Sequence, residues 1–148
     1  MKYKVEPEQA VSNVRTYRVL FFTDQNRPVG YAKGEFRQNP MWYNGLPYFF
    51  LTDLTITDQT CQQQGIGSQI LKVVEAFARK EGAYWIRGQM APRATGYTDD
   101  PANERATNTF WGANGYGIKR EIYDNSIRFW KPLQALSANR KSLAMSGN

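Results

Sequence analysis

The sequence predicts an α/β domain, a β-sheet flanked by helices, on three observations. Residues Leu51 to Gly82 read as a strand, a glycine-bearing turn and an amphipathic helix in succession. Residues Arg15 to Phe36 read as two strands around a short polar turn, and Ala83 to Met90 as a further strand directly after the helix. Such a series buries its apolar residues by layering the helix on the sheet. With 148 residues the chain suits one domain with a sizeable core and has no spare length for a second. We expect that domain to span residues 1 to 133, followed by a polar tail from Gln134 to Asn148.

Residues 1 to 14 are mixed and fit either one strand or a single helical turn around Pro7 to Val14. Arg15 to Thr23 is strongly strand-like, Asp24 to Arg27 is a turn, and Pro28 to Phe36 is the second strand of a hairpin. A loop from Arg37 to Pro47 follows, with Pro40, Gly45 and Pro47 as punctuation and Trp42 and Tyr43 at its tip. Those two aromatics either form a recognition surface or fold back over an edge of the core.

In the central strand Leu51, Leu54 and Ile56 are separated by threonines and by Asp53. Polar residues from Thr57 to Gln64 break the pattern before Gly65 and Gly67. Ile66, Ile70, Val73, Val74 and Phe77 then share one helical face, Lys72, Glu75, Arg79 and Lys80 fall mostly elsewhere, and Gly82 marks the stop. After the next strand comes a long polar connection, Ala91 to Ala102, holding Tyr97, Asp99 and Asp100. A helix from about Ala102 ends at Gly115, and a last hairpin pairs Tyr116 to Tyr123 with Ile127 to Lys131 around Asp124 and Asn125.

Composition narrows the chemistry. The chain has no histidine, so a general base must be a carboxylate, a tyrosine, a perturbed lysine or cysteine, or a water relayed by one of these. A single cysteine, Cys61, excludes an internal disulfide, and without histidine no zinc or other metal site is expected. No run is long enough to span a bilayer and Met1 to Glu8 holds no apolar signal core, so a cytoplasmic protein without membrane partners is expected. The net charge is +6 and uneven: residues 1 to 86 carry ten Lys/Arg and eight Asp/Glu, residues 87 to 148 nine and five. That excess is either a solvated surface or a field for a polyphosphate or an acidic macromolecule, and nothing in the spacing marks a nucleic-acid module.

A glycine turn that empties into a helix start leaves several backbone N–H groups pointing one way, with the positive end of the helix dipole behind them. It is either an anion site suited to a pyrophosphate or an ordinary strand–loop–helix connection. No third glycine gives the Rossmann spacing, and no Gly-Lys-Ser/Thr makes a P-loop.

The segment Gln62-Gln63-Gln64-Gly65-Ile66-Gly67 resembles the acetyl-CoA signature, Q/R-x-x-G-x-G/A, of the GCN5-related N-acetyltransferases (GNAT). The strand before it and the helix after it match that family's context. Phe110-Trp111-Gly112-Ala113-Asn114-Gly115-Tyr116 is similar to the family's F-Y-x-x-x-G-F segment. The resemblance implies a mixed central sheet flanked by helices, with a shortened N-terminal helical region. The family commonly spends thirty or more residues on a first strand and two helices before the hairpin, whereas about fourteen are available here. Those helices help wall the acceptor site, and their loss implies an open cleft and a large acceptor.

The same resemblance implies transfer of an acetyl group from acetyl-CoA, a co-substrate, to a primary amine. The pantetheine arm would lie against the backbone of Leu54, Thr55 and Ile56, and the pyrophosphate against Gln62, Gln63, Gln64, Gly65, Ile66, Gly67 and Ser68. Asn103, Phe110 and Trp111 would touch the cofactor, and Trp42, Tyr43 and Tyr97 are candidate acceptor contacts. Because the glutamate that relatives often place beside Asp53 is Thr52 here, the role of base falls to Asp53 as the best candidate, or to Glu35, Glu104 or a water. The other reading of Asp53 is an ion pair or a strand-end hydrogen bond. The slot of the family's acidic tyrosine holds Trp111, whose indole gives up no proton at neutral pH, so Tyr116 becomes the candidate acid.

The leading expectation is an N-acetyltransferase whose acceptor is a protein or peptide amine. The alternative is an acetyl-CoA-binding regulatory or interaction protein of the same fold with weak or no catalysis, as Thr52 and Trp111 would allow. A nucleic-acid-binding domain is a distant third. Monomer and homodimer both remain open.

Overall fold

The computed structural model describes residues 1–11, 14–39, 41, 43–58, 65–90, 110–121, 123 and 126–134. Its strands are β1 (Lys2–Val11), β2 (Val14–Phe22), β3 (Pro28–Arg37), β4 (Tyr48–Ile56), β5 (Trp85–Met90), β6 (Gly117–Arg120) and β7 (Ile127–Pro132). One described α-helix, α1 (Ile66–Lys80), lies between β4 and β5, and a short 3-10 turn covers Tyr43–Gly45. The strands form a mixed seven-stranded sheet in the order β1-β2-β3-β4-β5-β7-β6. The chain divides into two compact units, the first of residues 1–86 and 132–148 and the second Arg87–Lys131, with β5 starting in the first and ending in the second. No described helix is long and apolar enough to cross a membrane.

In the first unit, β1 to β4 are an antiparallel series of chain neighbours. The N-terminal residues, read from sequence as one strand or a helical turn, form the long strand β1, and two residues join it to β2. Pro7 lies on this outermost strand, where a missing N–H is tolerated. Among the described residues no helix stands between β1 and β2, in line with the shortened N-terminal helical region that the resemblance implied.

The core of this unit is aromatic. Tyr17 of β2, Phe36 of β3 and Phe49 of β4 all meet Phe77 of α1 edge-on, with ring centroids 5.2, 6.0 and 6.3 Å from it. These contacts define the face that α1 covers. Alternation then sends Arg18, Lys33 and Glu35 to the opposite face. Gly34, directly across from Leu51, makes room for the Phe49 ring: a Cβ there would lie 2.2 Å from ring carbon Cζ.

The helix buries Ile70, Leu71, Val74, Glu75 and Ala78. Sequence reading put Glu75 with the polar residues, but it is 6% exposed. It follows Leu71 by one helical turn and so lies on the buried stripe, where the apolar pattern alone hid it. The helix ends as Gly82 predicted, with Ala83 N–H donating to Ala78 O at 2.9 Å and Arg79 and Lys80 in the last turn. Arg79 Nε also donates to Leu133 O at 2.7 Å, fastening the strand end after β7 to the helix.

In the second unit, residues 110–113 are helical, Tyr116 N–H donates to Trp111 O at 3.0 Å, and β6 pairs antiparallel with β7. Trp111 stacks on Phe129 at 3.8 Å and meets Tyr116 edge-on at 5.1 Å.

Candidate active site

The start of α1 has the features an anion needs. Gly65 is the N-cap in the left-handed region at φ 73, and among the described residues no side chain caps the helix. Among the described residues nothing lies within 4 Å of where a Gly65 Cβ would stand. The first turn carries no acidic residue that would repel a phosphate. Among the described residues Gln69 N–H donates to Gly65 O at 3.1 Å, and the amides of Ile66 and Gly67 stand ahead of that bond at the helix start. Gln62, Gln63 and Gln64 lie outside the described residues, as do Trp42, Tyr97 and Asn103, and of Tyr43 only the backbone is described.

The second component is on β4. Its register against β3 slips once: Lys33 pairs with Asp53 and Gly34 with Leu51, so Thr52 has no partner on β3. A bulge of this kind bends the strand and re-aims the side chains beyond it. Asp53, Leu54, Thr55 and Ile56 follow directly, all half-buried. Asp53 and Thr55 lie on the face away from α1, and Thr55 Oγ1 donates to Asp53 Oδ1 at 2.6 Å.

Electrostatics sets Asp53 apart from its neighbours. Across that face Glu6, Arg18, Lys33 and Asp53 stand in register as one row over four strands. Glu6 pairs with Lys4 at 3.7 Å, Glu8 with Arg18 at 3.3 Å, and Glu35 with Arg37. Arg37 also rests its guanidinium 4.2 Å from the Phe50 ring, so Glu35, a secondary candidate for the base, is committed to a packed ion pair. Among the described residues Asp53 has no cation, and its Oδ2 has no hydrogen-bond donor. Lys33, directly opposite, places its ammonium 6.0 Å from the Tyr31 ring centroid instead.

The remaining candidates belong to the second unit, where Trp111 is 5% and Tyr116 6% exposed within the aromatic group. Phe110 meets Trp111 edge-on at 5.0 Å. Lys131 holds its ammonium 5.5 Å over the Tyr116 ring and donates to Asn114 O at 2.9 Å. The structure therefore brings Trp111 and Tyr116 together in one cluster and Asp53 and Thr55 together in another. Sequence reading missed the Thr55 hydroxyl, because it gave that residue only a backbone role, and missed Lys33, whose importance depends on a cross-strand register.

A search of curated protein sequences finds no match. Among solved structures the chain is similar to an aminoglycoside 6'-N-acetyltransferase complexed with coenzyme A, at 16% identity and a TM-score of 0.56 over 82% of this chain and 75% of that one. It is similar also to an acetyltransferase from Bacillus cereus, at 17% identity and 0.52 over 81% and 74%. Ard1 from Thermoplasma volcanium matches at 14% identity and 0.55 over 80% and 71%. At such identities the likeness is one of fold. The model of the acetyltransferase (GNAT) family matches residues 3–108, more than half of the chain, a span that includes β4 and α1. The chain belongs to the GNAT acetyltransferase family, whose activity is acetyl-CoA-dependent acyl transfer.

Proposed function

We propose that the protein is an N-acetyltransferase that moves the acetyl group of acetyl-CoA to a primary amine of a protein or peptide, with Asp53 as the base. The observation that carries the reading is the Asp53 carboxylate, just past the bulge of β4, with one oxygen held by Thr55 and the other without a partner among the described residues. An amine is protonated at neutral pH and attacks only after losing a proton, so an acceptor oxygen free to take it is the first requirement. Because Thr55 holds Oδ1, Oδ2 is the oxygen left to meet the amine.

Acetyl-CoA fits the chain's own residues. The uncapped, acid-free start of α1 at Gly65, Ile66, Gly67 and Ser68 would take the pyrophosphate, with Gln62, Gln63 and Gln64 before it. The backbone of Leu54, Thr55 and Ile56 would hold the pantetheine arm, and backbone N–H groups of that strand would face the developing oxyanion. For the leaving thiolate the candidate proton donor is Tyr116, supported by the family-like segment from Phe110 that ends on it. What favours a large acceptor is the direct β1–β2 hairpin, which puts no helix where relatives wall the acceptor. The aminoglycoside acetyltransferases among its structural neighbours make small amines the comparison to beat.

The test is a titration with acetyl-CoA beside acetylation of a peptide-amine library and of aminoglycosides. Binding together with turnover of peptide amines, lost in Asp53→Asn while affinity for acetyl-CoA persists, supports the reading. Equal or better turnover of aminoglycosides overturns the acceptor class. Binding with no turnover of any amine leaves an acetyl-CoA-binding protein.

A further inference from the structure

We propose that Lys33 is an internal acceptor: the enzyme acetylates its own Lys33 in the same site. The proposal rests on Asp53 as base and on the thioester arm lying along β4, and adds a modification site to that reading.

The case is one of register. Lys33 and Asp53 are direct cross-strand partners on the face away from α1, the closest relation two side chains on adjacent strands can have. On the other side of Lys33 in the same row stands Arg18, a like charge already engaged by Glu8. Repulsion from Arg18 and attraction to Asp53 both bias the Lys33 amine toward β4. No ion pair joins Lys33 to Asp53, and neither has any other charged partner among the described residues. A purely structural role for the pair would close that salt bridge, as the neighbouring Glu35 and Arg37 have done.

The neighbouring row is on the same face. The Lys33 nitrogen lies 6.0 Å from the ring of Tyr31, and Tyr31 is the partner of Thr55. The amine therefore shares a face with both Asp53 and Thr55, on the strand next to the one along which the arm would pair. The chemistry closes without another reactant. Asp53 takes one proton from the Lys33 ammonium, and the freed lone pair forms an N–C bond to the thioester carbonyl. The C–S bond breaks with its electrons on sulfur, and the second proton lost from nitrogen passes to that sulfur, giving Nε-acetyl-Lys33 and the thiol of CoA, while Asp53 returns its proton to solvent.

Exposure supplies the control. Lys2, Lys4, Lys72, Lys80 and Lys119 are exposed, whereas Lys33 is half-buried. Uncatalysed acetylation by excess acetyl-CoA therefore marks the exposed lysines ahead of Lys33. Held beside the base, Lys33 gains the advantage of an intramolecular reaction.

The experiment incubates the full chain with acetyl-CoA alone and follows each lysine by peptide mass spectrometry, at several protein concentrations. We expect Lys33 to be acetylated roughly tenfold or more faster than any exposed lysine, with a fractional rate independent of protein concentration. In Asp53→Asn the Lys33 rate should fall on the order of a hundredfold while the exposed sites stay the same. Lys33 modified no faster than the exposed lysines, or equally fast in Asp53→Asn, overturns the proposal. If an added peptide amine is acetylated in an Asp53-dependent way while Lys33 stays unmodified, the proposal falls and Asp53 remains the base. If Asp53→Asn acetylates that peptide as fast as the parent, the reading of Asp53 falls, and the proposal with it.

Discussion

Thr55 Oγ1 donates to Asp53 Oδ1 at 2.6 Å, two residues along one strand and on one face. The bond fixes which carboxylate oxygen is left to work. Thr55→Val keeps the shape and removes the donor, so Asp53 is free to rotate. We expect kcat on the best amine to fall about tenfold, corresponding to a hydrogen bond of roughly 1.4 kcal/mol, with affinity for acetyl-CoA unchanged. Thr55→Ser, which keeps the hydroxyl, should restore most of the rate. Steady-state kinetics beside a binding titration separate the two effects, and an unchanged kcat in the valine variant would show that the bond does not matter.

Gly65 at φ 73 is the second point of leverage. Any L side chain there is strained by about 1 kcal/mol or more, and a carboxylate adds repulsion at the helix start. Gly65→Ala should weaken acetyl-CoA binding modestly, and Gly65→Glu should abolish it in calorimetry. Equal affinity in the glutamate variant would place the pyrophosphate elsewhere.

Tyr116 carries the proposed acid role from a buried aromatic cluster. Tyr116→Phe keeps the ring packing against Trp111 and Phe129 and removes only the hydroxyl. If the hydroxyl protonates the thiolate, kcat drops roughly tenfold or more while affinity for acetyl-CoA persists. A stability loss with normal kcat would assign it to the core alone.

Gly34 tests the fold rather than the chemistry. A methyl group there would overlap the Phe49 ring and come within 2.9 Å of Phe50 O. Gly34→Ala should destabilise the protein by about 1–3 kcal/mol through forced repacking, read as a lower midpoint in thermal or denaturant unfolding.

The legible parts of this protein were those governed by local pattern. The hairpin of Arg15 to Phe36 and the helix after Gly65 announced themselves through alternation, turn residues and a 3.6-residue stripe. Residues 1 to 14 stayed ambiguous because Lys, Glu and Pro interrupt the alternation of β1, and an outermost strand has one partner to fix it. Glu75 was misplaced because a polar residue on a buried stripe contradicts the pattern used to find that stripe. At the site, Asp53 and Gly65 could be picked out along the chain. The choice of Asp53 over Glu35, and the presence of Lys33 beside it, depend on pairings between strands, and no single segment encodes those.

The direct hairpin between β1 and β2 has a consequence for how the molecule is made. With no helix inserted among the described residues, β1 to β4 are each paired to their neighbour in sequence, and the contacts they share are of shorter range than a helical insertion would leave them. Short-range contacts close cheaply and early, so this sheet can zip in order as the chain leaves the ribosome. The strand that bears Asp53 can then pair before Phe77 emerges to cover the far side, so the row of Glu6, Arg18, Lys33 and Asp53 can be assembled by sheet pairing ahead of the helix.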